Sequence, residues 1–433
     1  MKISGKQFEF LFKVGIVGQM KYEKKKKVRM RFTVYFLLII FAIVIIIGYK
    51  KHNRRLVDDT RYILGEYTIL MLCERPEQDS FKDLMVKLKG NGDSLNEAIK
   101  MLEEMEQTPD VKNALGVAYL RLRNFNEAEK ELLEALNMAE IDKDKVCILT
   151  NLAEVMLFED DTVSAENYTE EALKLSKDNP LKNLVLESNL TSISLSHKTK
   201  PIEEIAKIKA LLKKERKLLG SNQFVGIFNY ETLAYACYYE NNINRCEYYI
   251  KKAVALNKNT YQYVYVDAYL FKRMALMYED LKDGSDKAID YISKAIDLLE
   301  DWQNPDHYDL LASYEIRGTF YTNMILPNRD LAIKDFQYVL DHCPPYHELA
   351  AASYYNLAKT YFYYENASLI TDLYAKAYYL WQLEGWSDLN QDIESELREE
   401  YTRQNVENES YDIWFKQKIE KAKNDLENQW GSN

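Results

Sequence analysis

A small residue recurs at one fixed place along this chain, and that recurrence limits the folds open to it. Leu115-Gly116-x-x-Tyr119 is followed by Ala128, Leu132 and Ala135. Leu152-Ala153-x-x-Met156 leads to Ala165 and Ala172 at the same offsets. Leu233-Ala234-x-x-Cys237 leads to Cys246, Ile250 and Ala253; Met274-Ala275-x-x-Tyr278 leads to Ala288, Ile292 and Ala295 after one inserted residue. Gly318-x-x-Tyr321 leads to Ala332, Phe336 and Val339 after two insertions, and Leu357-Ala358-x-x-Tyr361 leads to Tyr374 and Ala377. A small residue at the crossing lets two helices approach to about 8–10 Å or less. One such pair cannot bury both of its faces, so neighbouring pairs must stack. Composition agrees, because 14 Gly and 8 Pro in 433 residues are too few turn formers for a β-sandwich or barrel of this size.

This pattern resembles the tetratricopeptide repeat (TPR), in which each unit is two antiparallel helices with a small residue where they cross. The resemblance covers residues 93–382, although the usual early Trp is missing and most units lack the closing Pro. The distance from Ala153 to Ala234 is room for two units, and a degenerate copy fits around Asn189-Leu190-Thr191 with Ala206 and Ala210. The resemblance implies an all-α chain, a right-handed α-solenoid of about seven hairpins. Residues 383–433, with sparse apolar anchors at Leu397, Trp414, Phe415 and Ile419, read as C-terminal capping helices. Ser94 with Glu97 offers a helix start, and residues 49–92, including Tyr62–Leu72, read as a helical segment partnering the helix that follows.

The charge is divided. Residues 1–55 hold 14 Lys and Arg against Glu9 and Glu23, leaving the remainder of a chain of net charge −11 strongly acidic. An acidic body repels phosphate backbones, so no nucleic-acid partner is expected. Phe32–Gly48 is a run of 17 uncharged residues, long enough to read as a transmembrane helix after a basic segment 1–31. The basic excess ahead of it predicts a single-pass cell-membrane protein with the N-terminus inside and the body outside; a cytoplasm-facing body is the alternative. Met1, Met20 and Met30 are each possible starts.

Signs of catalysis are missing. The five His form no HExxH, no CxxC exists, and no Gly-rich phosphate loop is present. His342, Cys343, His347 and Glu348 crowd around Pro344-Pro345, which reads as a polar inter-repeat turn, with a zinc site as the alternative. The expectation is therefore a non-catalytic protein without cofactor or metal.

What remains is a surface. The resemblance implies that the first helix of each unit lines a concave groove for a protein or peptide. Its offsets place Glu231, Tyr235, Tyr238 and Tyr239 there, then Tyr269, Lys272 and Arg273, then Tyr355, Asn356, Lys359 and Tyr363. Asn151 and Asn356 precede the Leu-Ala pair directly, and Asn189 takes that place in the degenerate unit. An Asn amide offers donor and acceptor together, which suits a peptide bond. Thr232, Arg273 and Ile316 interrupt the series. Two functions follow as expectations: a membrane-anchored TPR scaffold that binds a protein or peptide in this groove, or a cytoplasm-facing regulator, sensor or assembly factor of a membrane complex.

Overall fold

Helix starts and stops are written into the repeats. Asn124, Asp161, Asn242, Asn328 and Asn366 each stand at the head of the second helix of a unit and accept a backbone N–H three residues on, at 3.0–3.4 Å. Just before three of them, Arg123, Asp160 and Asn241 adopt left-handed backbone, with φ of 64°, 58° and 55°. At these three turns the capping residue's own N–H reaches back into the first helix: Asn124 N to Tyr119 O, Asp161 N to Met156 O and Asn242 N to Cys237 O, each at 2.9 Å. These bonds satisfy carbonyls that a helix end leaves open.

The computed structural model describes residues 60–430 apart from 66–67, 74–83, 85, 89, 177–178, 198–200, 221–222, 261–263, 282–283, 325, 344–346, 363–365, 384–386, 405 and 407–408. The helices are α1 Gly92–Glu103, α2 Pro109–Arg121, α3 Phe125–Met138, α4 Asp142–Phe158, α5 Thr162–Leu175 and α6 Pro180–His197. They continue as α7 Pro201–Leu219, α8 Val225–Tyr239, α9 Ile243–Thr260, α10 Val264–Glu279, α11 Ser285–Glu300 and α12 Tyr308–Asn323. The last five are α13 Arg329–His342, α14 His347–Tyr361, α15 Ala367–Leu383, α16 Ser387–Arg403 and α17 Tyr411–Trp430. From α2 to α15 they pack two by two, each pair leaning on the next, which is a solenoid of TPR-like hairpins. The degenerate unit is α6 with α7. Helices α16 and α17 pack on α15, burying Ile393, Leu397, Trp414 and Leu426.

The recurring small residues lie where each hairpin closes. Ala128, Ala153, Ala165, Ala234, Ala275, Ala288 and Ala358 are fully or almost fully buried. At Gly116 an added Cβ would stand 2.5 Å from Leu132 Cγ and 3.2 Å from Ala128 O. The interior falls into two apolar clusters, one from Ile63 to Ile193 and one from Ile227 to Leu426.

Two expectations are overturned. Within the stretch 49–92, the part expected to partner α1 as a helix, Tyr62–Leu72, is instead strand: Thr60–Leu64 (β1) and Ile69–Cys73 (β2) are antiparallel, paired from Thr60↔Cys73 to Leu64↔Ile69. TRYIL and ILMLC are rich in residues that suit a pleated, buried surface, and a short apolar run does not by itself distinguish strand from helix. The start of α1 also shifts, since Asn91, not Ser94, is its cap and accepts from Ser94 N at 3.1 Å. Second, the single-pass membrane localisation is not upheld. Among the described residues no helix is long and apolar enough to cross a membrane, because these helices carry charged faces between their apolar stripes. Segments 1–31 and 32–48, which carried that expectation, lie outside the described residues.

Helix α8 is held at its head by a carboxyl from α7. Glu215 Oε1 accepts from Gly226 N at 2.9 Å. Burial pushes the Glu215 carboxyl up to about 8, against a usual 4.5. A raised carboxyl pKa favours folding while the group is protonated. That stability is complete below about pH 4.5 and drains as pH rises through about 8. The urea midpoint should fall between pH 5 and pH 8.5, and Glu215→Gln should flatten that fall; equal slopes for both proteins would refute the assignment. Gly116→Val should cost about 1–3 kcal/mol through overpacking against Leu132, read as a lower thermal midpoint, and an unchanged midpoint would contradict the close crossing.

Candidate functional site: an asparagine-clamped strand in the concave face

The first helices of three successive hairpins hold β2 by its main chain. Asn189 on α6 accepts from Ile69 N at 2.9 Å and donates to Ile69 O at 3.1 Å. Asn151 on α4 does the same to Met71, accepting from its N at 2.8 Å and donating to its O at 2.8 Å. Asn113 on α2 donates to Met71 O at 3.2 Å, and its own Oδ1 accepts from Asn151 Nδ2 at 2.8 Å. Residues two apart on a strand present their backbone groups to the same side, so amides on adjacent helices meet alternate residues. All three Asn are buried.

Side chains complete the seat. Ile69, Leu70, Met71 and Leu72 are 0–1 % exposed, and each buried aliphatic side chain of this size contributes about 2 kcal/mol. Ile63, Leu70 and Leu72 join Leu84, Leu88, Ala98 and Leu102 in the first apolar cluster. Tyr62 tilts against Phe224 at the head of α8, ring centroids 5.0 Å apart. At the turn, a Cβ on Gly65 would lie 2.5 Å from Glu154 Oε1 and 2.8 Å from Thr68 O, so only glycine fits. Beyond Gly65 a small cleft opens, lined by Ile227, Phe228, Glu231, Tyr265, Tyr269 and Leu270 of α8 and α10.

The array then bends until its start meets its middle. Gly92 N donates to Gln303 Oε1 at 3.2 Å, and Asn304 Nδ2 to Asp93 Oδ1 at 2.7 Å. The Arg123 guanidinium sits 4.9 Å from the Phe158 ring and 4.6 Å from the Tyr308 ring, and pairs with Asp309 at 3.2 Å. Lys272 reaches Asp309 from α10 at 3.4 Å. Burial opposes ionisation of Asp309, but Lys272 and Arg123 outweigh it and hold the carboxyl well below the usual range. His307 is itself pushed down by burial, so its neutral ring serves as the acceptor for Asp309 N.

The residues expected in the groove divide into four groups. Asn151 and Asn189 are the clamp. Glu231, Tyr235, Tyr238, Tyr239, Tyr269 and Arg273 gather further along the same run of first helices. There Arg273 pairs with Glu231 at 3.2 Å and lies 4.3 Å from the Tyr235 ring and 5.8 Å from that of Tyr269. Tyr235, Tyr238 and Tyr239 pack ring to ring at 5.6–6.1 Å, and Tyr238 donates to Asp280. A third group does other work. Lys272 belongs to the Asp309 contact, while Tyr355 leans on Tyr374 and Trp381 of α15 with Lys359 over its ring. Asn356 is bonded to Glu315 at 3.0 Å and Thr319 at 3.2 Å. Tyr363 lies outside the described residues. Thr232, in the interrupting position, turns its hydroxyl to Phe228 O at 2.9 Å. Asn113 escaped the sequence reading because it stands three residues before Gly116, where the Asn-Leu-Ala offset is two.

The acid-histidine cluster at the α13–α14 turn has a packing role in its described part. His342 bonds Tyr338 O at 2.8 Å and stacks on the Tyr338 ring, and burial pushes the Cys343 thiol up to about 12. Among the described residues no His, Cys, Asp and Glu group is arranged to hold a metal ion.

No family model matches the sequence, and no curated protein matches it. Solved structures resemble it loosely. The crystal structure of yeast Tom70 overlaps with a TM-score of 0.49 at 17 % identity, over 77 % of this chain and 66 % of that one. This chain therefore spans just under two-thirds of the Tom70 chain. A Rap protein complexed with competence and sporulation factor gives 0.47 at 16 % identity, over 76 % and 90 %. The Cut9 chain of an APC/C Cut9–Hcn1 hetero-tetramer gives 0.39 at 15 % identity, over 73 % and 64 %. At these overlaps the TPR-like fold stands on the chain's own hairpins.

Asn151→Ala removes three hydrogen bonds and leaves Met71 N buried without an acceptor. An orphaned buried amide costs about 1–3 kcal/mol. The urea midpoint should drop accordingly, and the Met71 amide should lose protection from hydrogen exchange. Unchanged protection at Met71 would mean that the clamp does not hold the strand.

Proposed function

We propose that this chain is a non-catalytic protein-interaction scaffold whose concave face receives an extended segment of a partner polypeptide. One observation carries the reading: the Asn151 and Asn189 amides each grip both the N–H and the C=O of one residue of an extended chain. Such a grip reads main chain and not side chain, so it serves any extended segment of the right shape. The groove's recognition chemistry is thus already in use, with the chain's own β2 as the bound segment.

The aromatic run past the hairpin extends the same face. Tyr is amphipathic, stiff and enriched at interfaces, and Tyr239 is 48 % exposed beside Tyr235. A partner engaging this run gains ring contacts from Tyr235 and Tyr239 and a charged contact from the Glu231–Arg273 pair.

A photo-crosslinking amino acid at Tyr239 tests the scaffold reading against one at Val163, which is exposed on the second helix of its hairpin. The reading predicts discrete protein adducts from position 239 and few from position 163. Tyr235→Ala, which removes a central ring, should cut the adducts at 239 about tenfold, a loss of about 1.4 kcal/mol of binding. Adducts that arise equally from both positions, or survive Tyr235→Ala undiminished, would sink it.

A further inference from the structure

The seat of β2 is longer than β2. The strand runs from Asn189 on α6 at Ile69 to Asn151 on α4 at Met71, so its N-terminal end points toward α8. There the chain does not continue along the groove. It returns as β1, with Gly65 against Glu154 and against the cleft of α8 and α10. One helix beyond Asn189 stands a fourth amide, Asn229 on α8. It is 1 % exposed and donates to Ser188 Oγ at 3.2 Å, next to Asn189. Its Oδ1 has no hydrogen-bond partner among the described residues. Thr68 Oγ1, at the mouth of the turn, is buried and unpartnered as well.

A buried amide oxygen without a donor is costly, and native proteins rarely keep one. Asn229 Oδ1 is thus an unused acceptor buried beside Ser188, one hairpin along from the Asn189 clamp. An occupant that stayed extended beyond Thr68 would bring a further N–H toward that end of the seat. It would also run on into the cleft lined by Ile227, Phe228, Glu231 and Tyr269.

Resting on the scaffold reading above, we propose that the amide row Asn113, Asn151, Asn189 and Asn229 is a seat for an extended aliphatic segment of a partner polypeptide, for which residues 60–73 are a tethered competitor. The partner segment lies with its N-terminal end toward α8 and α10. Three features fix its chemistry. The clamps take main-chain N–H and C=O groups at alternate residues, so prolines at those residues are excluded. The walls bury four consecutive apolar side chains, as they do Ile69 to Leu72. The hairpin precedes the array in sequence, so it can leave without separating any helix pair of α2 to α15. Once it leaves, three buried amides lose their partners, which makes an empty seat costly and a replaced one favourable. A tethered occupant competes at an effective concentration of order millimolar, so exchange with the intact chain is weak until the hairpin is loosened.

The test uses the full chain and a fluorescein-labelled peptide of residues 66–75, EYTILMLCER, followed by anisotropy. Met71→Pro in the protein removes the N–H that Asn151 accepts and loosens the resident strand. That variant should bind the peptide at least tenfold more tightly than the wild-type chain. A peptide with proline in place of Ile69 and Met71 should bind neither protein. Asn229→Ala, added to Met71→Pro, should weaken the peptide about fivefold without lowering the thermal midpoint, a combination that a merely structural role for Asn229 does not give. In the wild-type chain, excess peptide should strip hydrogen-exchange protection from the amides of Leu70 and Leu72 while leaving α4 protected. This last arm decides the matter if Met71→Pro does not fold. Equal binding of the proline peptide, equal affinity of wild type and Met71→Pro, or hairpin amides that stay protected at saturating peptide would each overturn the proposal. Those results leave the adducts at position 239 untouched, so the two readings fail separately.

Discussion

Two side-chain amides on neighbouring helices, each closing a pair of hydrogen bonds on one residue of β2, are the interaction from which the rest of this structure follows. A strand needs partners along both edges when it is buried. β2 has β1 on one edge and, instead of a third strand, a row of asparagines on the other. That substitution lets an extended segment lie inside a helical array, where main-chain polar groups otherwise go unsatisfied. It also explains why the three Asn are tolerated in the interior: each amide is matched, and a matched buried amide specifies one register where an apolar contact would allow slippage.

The enclosure depends on curvature as well as on the clamp. Because each hairpin packs at a fixed angle on the last, the array turns until Gly92, Asp93 and Arg123 meet Gln303, Asn304 and Asp309. Arg123 is the centre of this contact. It sits in the left-handed turn between α2 and α3, flanked by two rings and ion-paired to a carboxylate that Lys272 also reaches. A buried carboxylate with two cations keeps its charge, and removing one partner of such a set typically costs several kcal/mol. The closure therefore fixes how far apart α2 and α12 stand.

Much of this was legible in the chain, for physical reasons that differ from residue to residue. The crossings at Gly116, Ala153, Ala234, Ala275 and Ala358 could be read because close helix approach admits few residue types. Asn151 and Asn189 could be named because the repeat resemblance puts them on the inner helix, where an amide offers donor and acceptor together; Asn356, at the same offset, spends its amide on Glu315 and Thr319 instead. The hairpin could not be read as such. ILMLC is an apolar run whose extended course is held by asparagines 80 and 120 residues away, and TRYIL is held by pairing with it. Nor could Arg123 be seen as a closure, since its partner Asp309 lies 186 residues on and neither sits in a motif. Tyr355 misled for the opposite reason: its offset matches a groove position, but the large rings of Tyr374 and Trp381 draw it into the packing of α14 on α15.

One measurement on the unaltered protein bears most directly on the claim that the concave face holds an extended chain by its backbone. Hydrogen exchange read residue by residue along β2 separates the two edges of the strand, because alternate amides point to opposite sides. Amides directed at β1 are protected by any hairpin, clamped or not. Those of Ile69 and Met71 are protected only if Asn189 and Asn151 accept them. The account predicts that all the amides from Ile69 to Leu72 exchange with comparable slowness. Fast exchange at Ile69 and Met71, beside slow exchange at Leu70 and Leu72, would contradict it.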